Sequence, residues 1–374
     1  MRYESKDSTL TLYYEGQINS ANAPALETDS LAALMQTKPE HVVIDCGTLE
    51  YISSAGLRVL LRIKQTCSDV KLINVKPDVY QVLEMTGFLN IVEAKKAFRE
   101  VEVKEEQLIG SGFCSKVYRI APDTIVKVFL KGGIDAIERE LALAKSAFVA
   151  GIPTAITFDV VRVGDHYGAM FEMLDFTSLH HLFEADLKNI PLYLDRYAAL
   201  LKKLNSTPCL SKEVPSAKEK ILKKLERIKD LLSPAEFEKA NAFINGLAET
   251  NTLVHGDCHI KNILVDKDEL LLIDMDTLSY GNPYFEYAGL YTTYIGFSED
   301  DPGNFQRFFN IPDEKAAELF HELMKRLGYD DEEHLSAIRT LSYIHMVDWT
   351  RRNQKDNAKR LNGCLARLKE LLSK

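Results

Sequence analysis

Apolar and polar positions change period in regular blocks along the first 97 residues. Residues 10–14 alternate like a half-buried strand, and residues 23–36 carry apolar side chains at helical spacing. The same analysis predicts strands at 41–46 and 70–75 and helices at 57–64 and 79–85. Strands that alternate with helices predict an α/β layered domain.

A different pattern begins near residue 98. Strands predicted at 101–108, 117–120 and 125–129 follow one another with turns between them, which predicts an antiparallel meander. A helix at 134–150, strands at 156–163 and 166–173, a mostly helical stretch at 182–247, short strands at 252–255, 263–265 and 270–273, and helices from 283 onward complete the pattern. We therefore predict two domains, residues 1–97 and 98–374. The second would have an N-lobe over about 98–175 and a C-lobe over about 176–374.

Composition and charge narrow the class of protein. Hydrophobic residues make up 46% and charged residues 27% of the chain, as in soluble globular proteins. The net charge of −9 disfavours nucleic acid or an anionic membrane as the main partner. No run approaches the roughly 18 apolar residues of a membrane helix, and the first residues lack the apolar region of a signal peptide. The six cysteines form no C-x-x-C pair. These features predict a cytoplasmic protein with reduced thiols.

The charge is distributed unevenly. Residues 98–349 carry most of the acidity, whereas residues 350–374 hold eight basic and two acidic side chains. One face of the last predicted helix carries Leu361, Cys364, Leu365, Leu368, Leu371 and Leu372. This segment is predicted to pack as an amphipathic helix with a solvated basic face.

The segment 254–265 carries the strongest chemical signal. Asp257 lies five residues before Asn262 in a loop between two short apolar strands, and Asp274 follows the next strand. Phosphoryl transfer needs one carboxylate to orient or deprotonate the attacking hydroxyl. It also needs an amide oxygen and a second carboxylate to hold Mg²⁺ on the nucleotide phosphates. Asp257 fits the first role, and Asn262 and Asp274 fit the second. A polar surface loop between strands is the alternative.

The run H-G-D-x-x-x-x-N at 255–262, followed by I-D-x-D at 273–276, resembles the aminoglycoside phosphotransferase and choline-kinase-like family. The resemblance covers about residues 100–374 and implies an α+β protein-kinase-like fold with two lobes. It also implies that Asp257 is the catalytic base and that Asp274 binds magnesium, with Asp276 at a second acidic position. The stretch 279–288 resembles the family's G-x-P-x-x-D-L-A, with Glu286 and Tyr287 in place of the usual Asp and Leu.

Further upstream, three elements occur in the order that this family implies. Gly110 and Gly112 lie in a run that resembles a nucleotide-covering G-x-G-x-x-G-x-V loop, with Ser115 in place of the third glycine; an ordinary hairpin turn is the alternative. Lys127 lies in an apolar strand, where phosphate contact would explain a buried charge; an edge-strand lysine that faces water is the alternative. On the next helix Glu140 lies beside the apolar stripe and is the predicted partner of Lys127, with a solvated glutamate as the alternative.

The strand at 168–174 resembles the hinge between the lobes of such folds. The resemblance implies that backbone groups of Glu172 and Leu174 hold the adenine, with Phe171 behind it.

The segments 42–61 and 74–88 resemble the STAS family, the anti-sigma-factor antagonist domain, over about residues 1–97. Phosphoregulated members read D-S-[ST]-G-L in the loop before a helix. Here Ser53 occupies the Asp position and Ala55 the second hydroxyl position, which leaves Ser54 as the aligned hydroxyl. A phosphate at a helix N-terminus would meet unpaired N–H groups and the positive end of the dipole. Ser54 is therefore a candidate phosphosite; the alternative is that Ser53 and Ser54 only cap the helix.

Together these features predict a cytoplasmic, ATP- and Mg²⁺-dependent phosphotransferase with a STAS domain that binds a protein partner or its own kinase domain. The acceptor would be a hydroxyl of a small molecule or a protein serine. The acidity of residues 98–349 favours a cationic acceptor such as an amino sugar or amino alcohol, although ordinary solubility explains it equally well. Two alternatives stay open: a non-catalytic regulator that senses ATP, and a kinase that phosphorylates a STAS domain in a sigma-factor-type partner switch.

Overall fold

The fold is described on a computed structural model of the chain, which describes residues 1–112, 115–174, 176–266 and 269–373. Phe113 and Cys114 of the predicted glycine-containing loop lie outside these residues. Backbone contacts divide the chain into two compact units. The first unit comprises residues 1–102 with 160–166, and the second comprises residues 103–159 with 167–374.

In the first unit, a five-stranded sheet is accompanied by three helices. Its strand order is β1-β2-β3-β4-β5, with only the β1–β2 pair antiparallel. The elements are β1 (Arg2–Lys6), β2 (Thr9–Ile18), α1 (Ala23–Thr37), β3 (His41–Ile52), α2 (Ser54–Thr66), β4 (Val70–Val75), α3 (Pro77–Met85) and β5 (Glu93–Lys96). A short strand β6 (Arg99–Glu100) pairs in parallel with residues 161 and 162. The predicted α/β layering is confirmed.

Helix α2 packs directly on the ends of β2 and β3. A Cβ on Gly56 would come within 2.6 Å of Ile52 and 2.7 Å of Ile18, so only glycine allows this approach. The side chain of Ser53 accepts a hydrogen bond from the Gly56 N–H at 3.5 Å and caps the helix, while Ser54 is its first residue and is exposed.

In the second unit, the N-lobe contains the antiparallel strands β7-β8-β9-β11 in that spatial order. Its elements are β7 (Leu108–Ser111), β8 (Ser115–Ala121), β9 (Thr124–Phe129), α4 (Ile134–Val149) and β11 (His166–Glu172). Strand β10 (Thr157–Val163) begins in this unit, and its residues 160–163 belong to the first. The strand predicted at 101–108 is wrong. Residues 101–104 are irregular and Glu105–Gln107 form a 3-10 turn, because the Gln107 side chain accepts a hydrogen bond from the Lys104 N–H at 2.8 Å and bends the backbone.

The C-lobe is mostly helical, with two small sheets. Its elements are β12 (Thr177–Ser178), α5 (Leu179–Ala185), α6 (Ile190–Ser206), α7 (Ala217–Arg227), α8 (Pro234–Gly246), β13 (Leu253–Val254), β14 (Ile263–Asp266), β15 (Glu269–Leu272), β16 (Ser279–Tyr280), α9 (Tyr284–Tyr291), α10 (Phe297–Asp300), α11 (Asn304–Phe309), α12 (Asp313–Leu327), α13 (Glu332–Asn353) and α14 (Ala358–Ser373). A π-helical turn, Thr292–Gly296, joins α9 to α10. Helix α14 buries Cys364, Leu368 and Leu372, as its amphipathic pattern predicts. Its basic side chains are not all solvated, because Arg360 is buried and donates to Asp301 at 2.9 Å.

Two whole-chain features accompany this architecture. Among the described residues no helix combines the length and apolarity that crossing a bilayer requires. The cysteines that the structure describes are unpaired thiols, namely Cys46, Cys67, Cys209, Cys258 and Cys364. Cys114 lies outside the described residues.

Candidate active site

His255 organises the loop 255–262, which follows β13. Its imidazole is fully buried, accepts a hydrogen bond from the Asp257 N–H at Nδ1 (3.3 Å), and contacts the Ile273 carbonyl through Nε2 (3.0 Å). Because Nδ1 is the acceptor, Nε2 carries the proton and donates to Ile273. Burial lowers the pKa of His255, which keeps the ring neutral. The hydroxyl of Thr277 donates to the His255 carbonyl at 2.6 Å. One buried ring thus joins the loop to the segment that carries Asp274.

Glu286 fixes the same loop from α9. Its carboxylate is fully buried and accepts hydrogen bonds from the N–H groups of His255 (2.5 Å) and Gly256 (3.2 Å). A Cβ on Gly289 would lie 2.6 Å from the Gly256 carbonyl oxygen, so glycine lets α9 approach the loop. Burial raises the pKa of Glu286 to about 7, against the lowering effect of the N–H donors. The motif comparison indicates only that Glu286 replaces the usual Asp, although an acidic residue among the apolar residues that begin α9 is a signal for a buried carboxylate.

Asp257 lies in this loop with 43% of its side chain exposed. Protein atoms surround the rest of its carboxylate. This desolvation raises its pKa to about 8, and the negative charges of Asp274, Asp276 and Glu286 act in the same direction. The Nε2 atom of His259 is 3.8 Å from Asp257 Oδ2, but burial lowers the pKa of His259 to about 4, so this ring is neutral. The Asp257 carboxylate therefore has no cationic partner at that position.

Asn262 is buried and is oriented by the loop itself. Its side-chain Nδ2 donates to the Asp257 carbonyl at 2.9 Å, and its backbone N–H donates to the His259 carbonyl at 2.8 Å. With Nδ2 used in this way, Oδ1 is the remaining acceptor of the amide. The loop therefore presents one carboxylate and one amide oxygen.

Asp274 connects this region to the N-lobe strand β9. Its backbone is left-handed, with φ 66° and ψ 63°, a conformation that Asp tolerates better than most residues. Its Oδ1 accepts a hydrogen bond from Lys127 Nζ at 2.7 Å, and the same ammonium lies 2.8 Å from Glu140 Oε1. Burial would lower the pKa of Lys127, but the charges of Asp274 and Glu140 outweigh it and hold that pKa above its usual value. Lys127 and Glu140 are brought together as the sequence predicted.

The glycines of the predicted nucleotide-covering loop lie in the β7–β8 hairpin. Gly110 pairs with Val117, and the Gly112 N–H donates to the Ser115 carbonyl at 2.8 Å. Neither glycine has a positive φ, and a Cβ on either would make only ordinary contacts at 3.7 Å. The hairpin conformation therefore does not require glycine at these positions. Glycine at these positions would still allow a ligand to approach the backbone closely.

Glu172 ends strand β11 at the predicted hinge. Its backbone N–H donates to the Ile156 carbonyl at 3.0 Å, and its side chain accepts from the Ile156 N–H at 2.6 Å. The next N–H, from Met173, donates to the Asp123 carbonyl at 2.8 Å. Leu174 follows this anchored segment. The adenine contact at Glu172 and Leu174 stays a prediction.

The donor set around Asp257 suits a divalent cation. Carboxylate and amide oxygens are the ligands that Mg²⁺ prefers, and Asn262 and Asp274 supply one of each. Protein atoms around the Asp276 carboxylate and the charge of Asp274 raise the pKa of Asp276, as they do for Asp257. Neighbouring carboxylates that repel one another are relieved by a cation. Within the described ranges, no group of three or more His, Cys, Asp or Glu forms a metal site by itself, so phosphate and water oxygens would complete the coordination.

Comparison with known proteins places these features in two families. The STAS domain model matches residues 1–103, and the model described as phosphotransferase enzyme family matches residues 105–320. The chain is 44% identical over 89 residues to the "Putative anti-sigma factor antagonist BtrV" of Bordetella bronchiseptica, a match that covers 23% of this chain and 76% of that protein.

Solved structures show the same fold for the larger part. A thermostable mutant of the aminoglycoside phosphotransferase APH(4)-Ia in its apo form has a TM-score of 0.51 and 12% identity, and covers 71% of this chain and 93% of its own. Another mutant of that enzyme, in a ternary complex with AMP-PNP and hygromycin B, has a TM-score of 0.50 and 12% identity, with coverage of 71% and 92%. Because the second family model spans more than half of the sequence, this chain belongs to the phosphotransferase enzyme family, and it carries a STAS domain before its kinase-like fold.

Proposed function

We propose that this chain is an ATP- and Mg²⁺-dependent phosphotransferase that transfers the γ-phosphoryl group to a hydroxyl of a small molecule. One observation carries the proposal: Lys127, from a strand of the N-lobe, contacts both Glu140 and Asp274, which lie 13 and 147 positions away in sequence. Phosphoryl transfer in kinase-like folds needs a lysine–glutamate pair beside a metal-binding aspartate, so this contact supports the proposal.

Each of these residues has a role in holding the nucleotide. Lys127 would neutralise phosphate oxygens, and Glu140 would hold the ammonium in place. Asn262 Oδ1 and Asp274 would bind Mg²⁺, which when bound supplies neutralisation of the phosphate charge. Gly110, Gly112 and Ser115 would cover the phosphates, and backbone groups of Glu172 and Leu174 would hold the adenine.

Asp257 would act on the acceptor. In the reaction, the acceptor hydroxyl oxygen forms a bond to the γ-phosphorus while the bond from that phosphorus to the β–γ bridging oxygen breaks, and ADP leaves. The hydroxyl proton passes to the Asp257 carboxylate. A pKa raised to about 8 makes this carboxylate a better proton acceptor than an ordinary aspartate once it is ionised.

The test is ADP release by the full chain with Mg-ATP and a panel of hydroxylated compounds. Asp257→Asn should lower the rate about 100- to 10,000-fold, the range for loss of a general base. Asp330→Asn removes an exposed aspartate of the same unit and should leave the rate unchanged. Equal rates for wild type and Asp257→Asn would contradict the proposed role.

A second function, phosphorylation of a STAS domain in a partner switch, is supported by a separate observation. Ser54 is exposed at the first position of α2, whereas the capping hydrogen bond is made by Ser53. Intact-mass measurement after incubation with Mg-ATP should then show one added phosphate in wild type and in Ser53→Ala, but none in Ser54→Ala. No added mass, or a phosphate that persists in Ser54→Ala, would remove this function.

A further inference from the structure

A cavity of about 150 Å³ lies beside the 255–262 loop in the second unit and is partly open to solvent. Its wall includes Gly256, which precedes Asp257, and Thr277, which follows Asp276. The cavity therefore shares its wall with the backbone that presents the two carboxylates. Its volume is well above what one water molecule requires.

Two lysines of α7 give this cavity its charge. Lys220 Nζ donates to the carbonyls of Thr277 (2.9 Å) and Leu278 (3.3 Å), and Lys224 Nζ donates to His345 Nδ1 (2.6 Å). Neither ammonium is ion-paired with any residue that the structure describes. Since an ammonium has three donors, at least one donor of Lys220 and two of Lys224 are not used by these bonds.

Neighbouring groups of both signs act on these lysines, and burial is the largest effect on each. Burial lowers the pKa of Lys220 to about 8, and Arg139 of α4 acts in the same direction, against Asp276. Burial also lowers the pKa of Lys224 to about 8, with Lys220, Arg227 and Arg352 acting the same way against Asp348. Among the described residues no carboxylate lies within ion-pair distance of either ammonium, and half-buried cations without a direct partner favour an anion.

His345 adds a hydrogen-bond donor to the same wall. Its Nδ1 accepts from Lys224, so the ring proton is on Nε2. Burial and the charges of Lys224 and Arg352 lower the pKa of His345 well below its ordinary value, so the ring is neutral. The polar groups of α7 and α13 at this cavity are thus donors, which suits an oxyanion.

We propose that this cavity is an anion subsite for the phosphoryl acceptor, in which Lys220 and Lys224 bind a carboxylate or phosphate group that the hydroxylated acceptor carries. The assignment rests on the proposed phosphotransfer for its catalytic meaning. It differs from the cationic acceptor favoured by the total acidity of residues 98–349, because the charge at the cavity is opposite to the charge of the whole segment. An amino sugar placed here would meet two ammonium groups.

Anion binding is tested without turnover. The full chain, saturated with AMP-PNP and Mg²⁺, is titrated with sodium sulfate at constant ionic strength and followed by the fluorescence of Trp349, the only tryptophan. Wild type should show one saturable binding event. Lys220→Gln combined with Lys224→Gln should weaken it about tenfold or more, as expected for lost charge-assisted hydrogen bonds.

Matched variants distinguish specific anion binding at the cavity from a nonspecific effect of the protein's positive charge. Lys223→Gln removes an exposed lysine of the same helix and should bind sulfate like wild type. Lys220→Arg combined with Lys224→Arg keeps both charges and should retain most of the affinity. AMP-PNP binding by every variant, measured separately, shows that the unit is folded. Absence of saturable binding in wild type, or binding that survives the double glutamine substitution, would overturn the proposal.

Turnover measurements then show whether the acceptor carries a carboxylate or a phosphate. They also separate failure of the anion subsite from failure of the proposed phosphotransfer. ADP release is compared for glycerate against glycerol, glycerol 3-phosphate against glycerol, and gluconate against glucose. We expect stimulation by the anionic member of a pair, lost in the double glutamine variant. A carboxylate source is indicated by stimulation with glycerate or gluconate, and a phosphate source by stimulation with glycerol 3-phosphate.

Stimulation by the neutral members of the pairs that does not depend on Lys220 and Lys224 would overturn the subsite while leaving phosphotransfer intact. Saturable sulfate binding without turnover by any acceptor would count against phosphotransfer alone.

Discussion

The two units differ in the polar groups that they bury. Among the described residues of the first unit, the core is apolar except for Ser30, whose hydroxyl lies 2.9 Å from that of Tyr14. The second unit buries the carboxylates of Glu140, Glu286 and Asp348 and the imidazole of His255. The first unit is built as a stable scaffold with an exposed surface, whereas the second retains charged groups whose burial is unfavourable unless they are paired.

This difference separates recognition from chemistry. In the second unit the buried charges hold the 255–262 loop and Lys127, so they position reactive groups at a site that water reaches. In the first unit, any interaction with a partner would have to come from exposed residues such as Ser54, because the buried side chains only pack against one another. Variants that act on one unit and leave the other unchanged can break or sharpen this contrast.

The largest expected effect is that of Glu286→Ala. It removes the acceptor of two loop N–H groups, and each buried donor left without a partner costs about 1–3 kcal/mol of stability. Urea unfolding followed by Trp349 fluorescence reports on the second unit alone, because Trp349 is the single tryptophan. Glu249→Ala, which removes an 85% exposed carboxylate, is the control and should shift stability by no more than about 0.5 kcal/mol. If both variants behave alike, Glu286 does not hold the loop.

Next in size is Gly289→Ala. Its Cβ would lie 2.6 Å from the Gly256 carbonyl oxygen, so α9 must shift, and overpacking of this kind costs about 1–3 kcal/mol. The same fluorescence measurement applies, together with ADP release, which should fall because the loop that carries Asp257 moves. Gly246→Ala, also in a helix but with open space around the new Cβ, should leave both readouts close to wild type. An unaltered Gly289→Ala would show that the close approach is not needed.

A smaller effect should appear as a pH dependence of the second unit. The pKa values of Asp257 and Glu286 are raised to about 8 and 7, so each of these groups keeps a proton in the folded unit at pH values where it has lost it in the unfolded chain. The buried histidines of this unit, whose pKa values are lowered, act in the opposite direction below about pH 6.5. The stability of wild type relative to Asp257→Asn, measured without nucleotide or metal, should therefore decrease as pH rises from about 5.5 to 8.

The first unit supplies the contrast for that pH experiment. The hydrogen bond from His41 lowers the pKa of Asp69, so the contribution of this carboxylate to stability is constant well above its ordinary pKa and is lost only as pH falls below that value. Hydrogen exchange in β3 and α2, measured by mass spectrometry and corrected for the intrinsic exchange rate at each pH, should show unchanged protection over the same pH range. Equal pH dependence of both units would contradict the contrast.

The smallest predicted effects are at the start of α2. Ser53→Ala removes the capping acceptor and should destabilise the first unit by about 1 kcal/mol. Ser54→Ala changes an exposed side chain and should stay within about 0.5 kcal/mol. Hydrogen exchange of α2 measures both. Equal losses would mean that Ser54 shares the capping role, as the sequence alone allowed.

Local signals were sufficient for most of the fold. The helices and central strands of the first unit follow from their periodicity, but β1 has five exposed residues and therefore no alternation to detect. Strand β3 continues to Ile52, beyond its predicted end at residue 46, because its later residues pair with β2. Pairing with a distant strand cannot be deduced from a local pattern.

The site shows the same division between local and long-range information. Spacing within residues 254–276 is sufficient to predict Asp257, Asn262 and Asp274 as site residues, and the position on a helical stripe is sufficient to predict Glu140 as the partner of Lys127. The roles of Glu286 and of Lys220 depend on which backbone atoms the fold brings to them, 30 and 57 residues away in sequence. Those contacts become visible only when the chain is folded.

The left-handed backbone at Asp274 restricts which amino acids evolution or an experimenter can place there. Most L-residues lose roughly 1–2 kcal/mol in this conformation, whereas Asn, Asp and Gly adopt it more readily. Three amino acids therefore suit this position. Asp supplies a carboxylate, Asn keeps the size of the side chain without its charge, and Gly keeps only the left-handed backbone. Alanine, the usual choice for mapping function, would combine backbone strain with the loss of the carboxylate that Lys127 contacts.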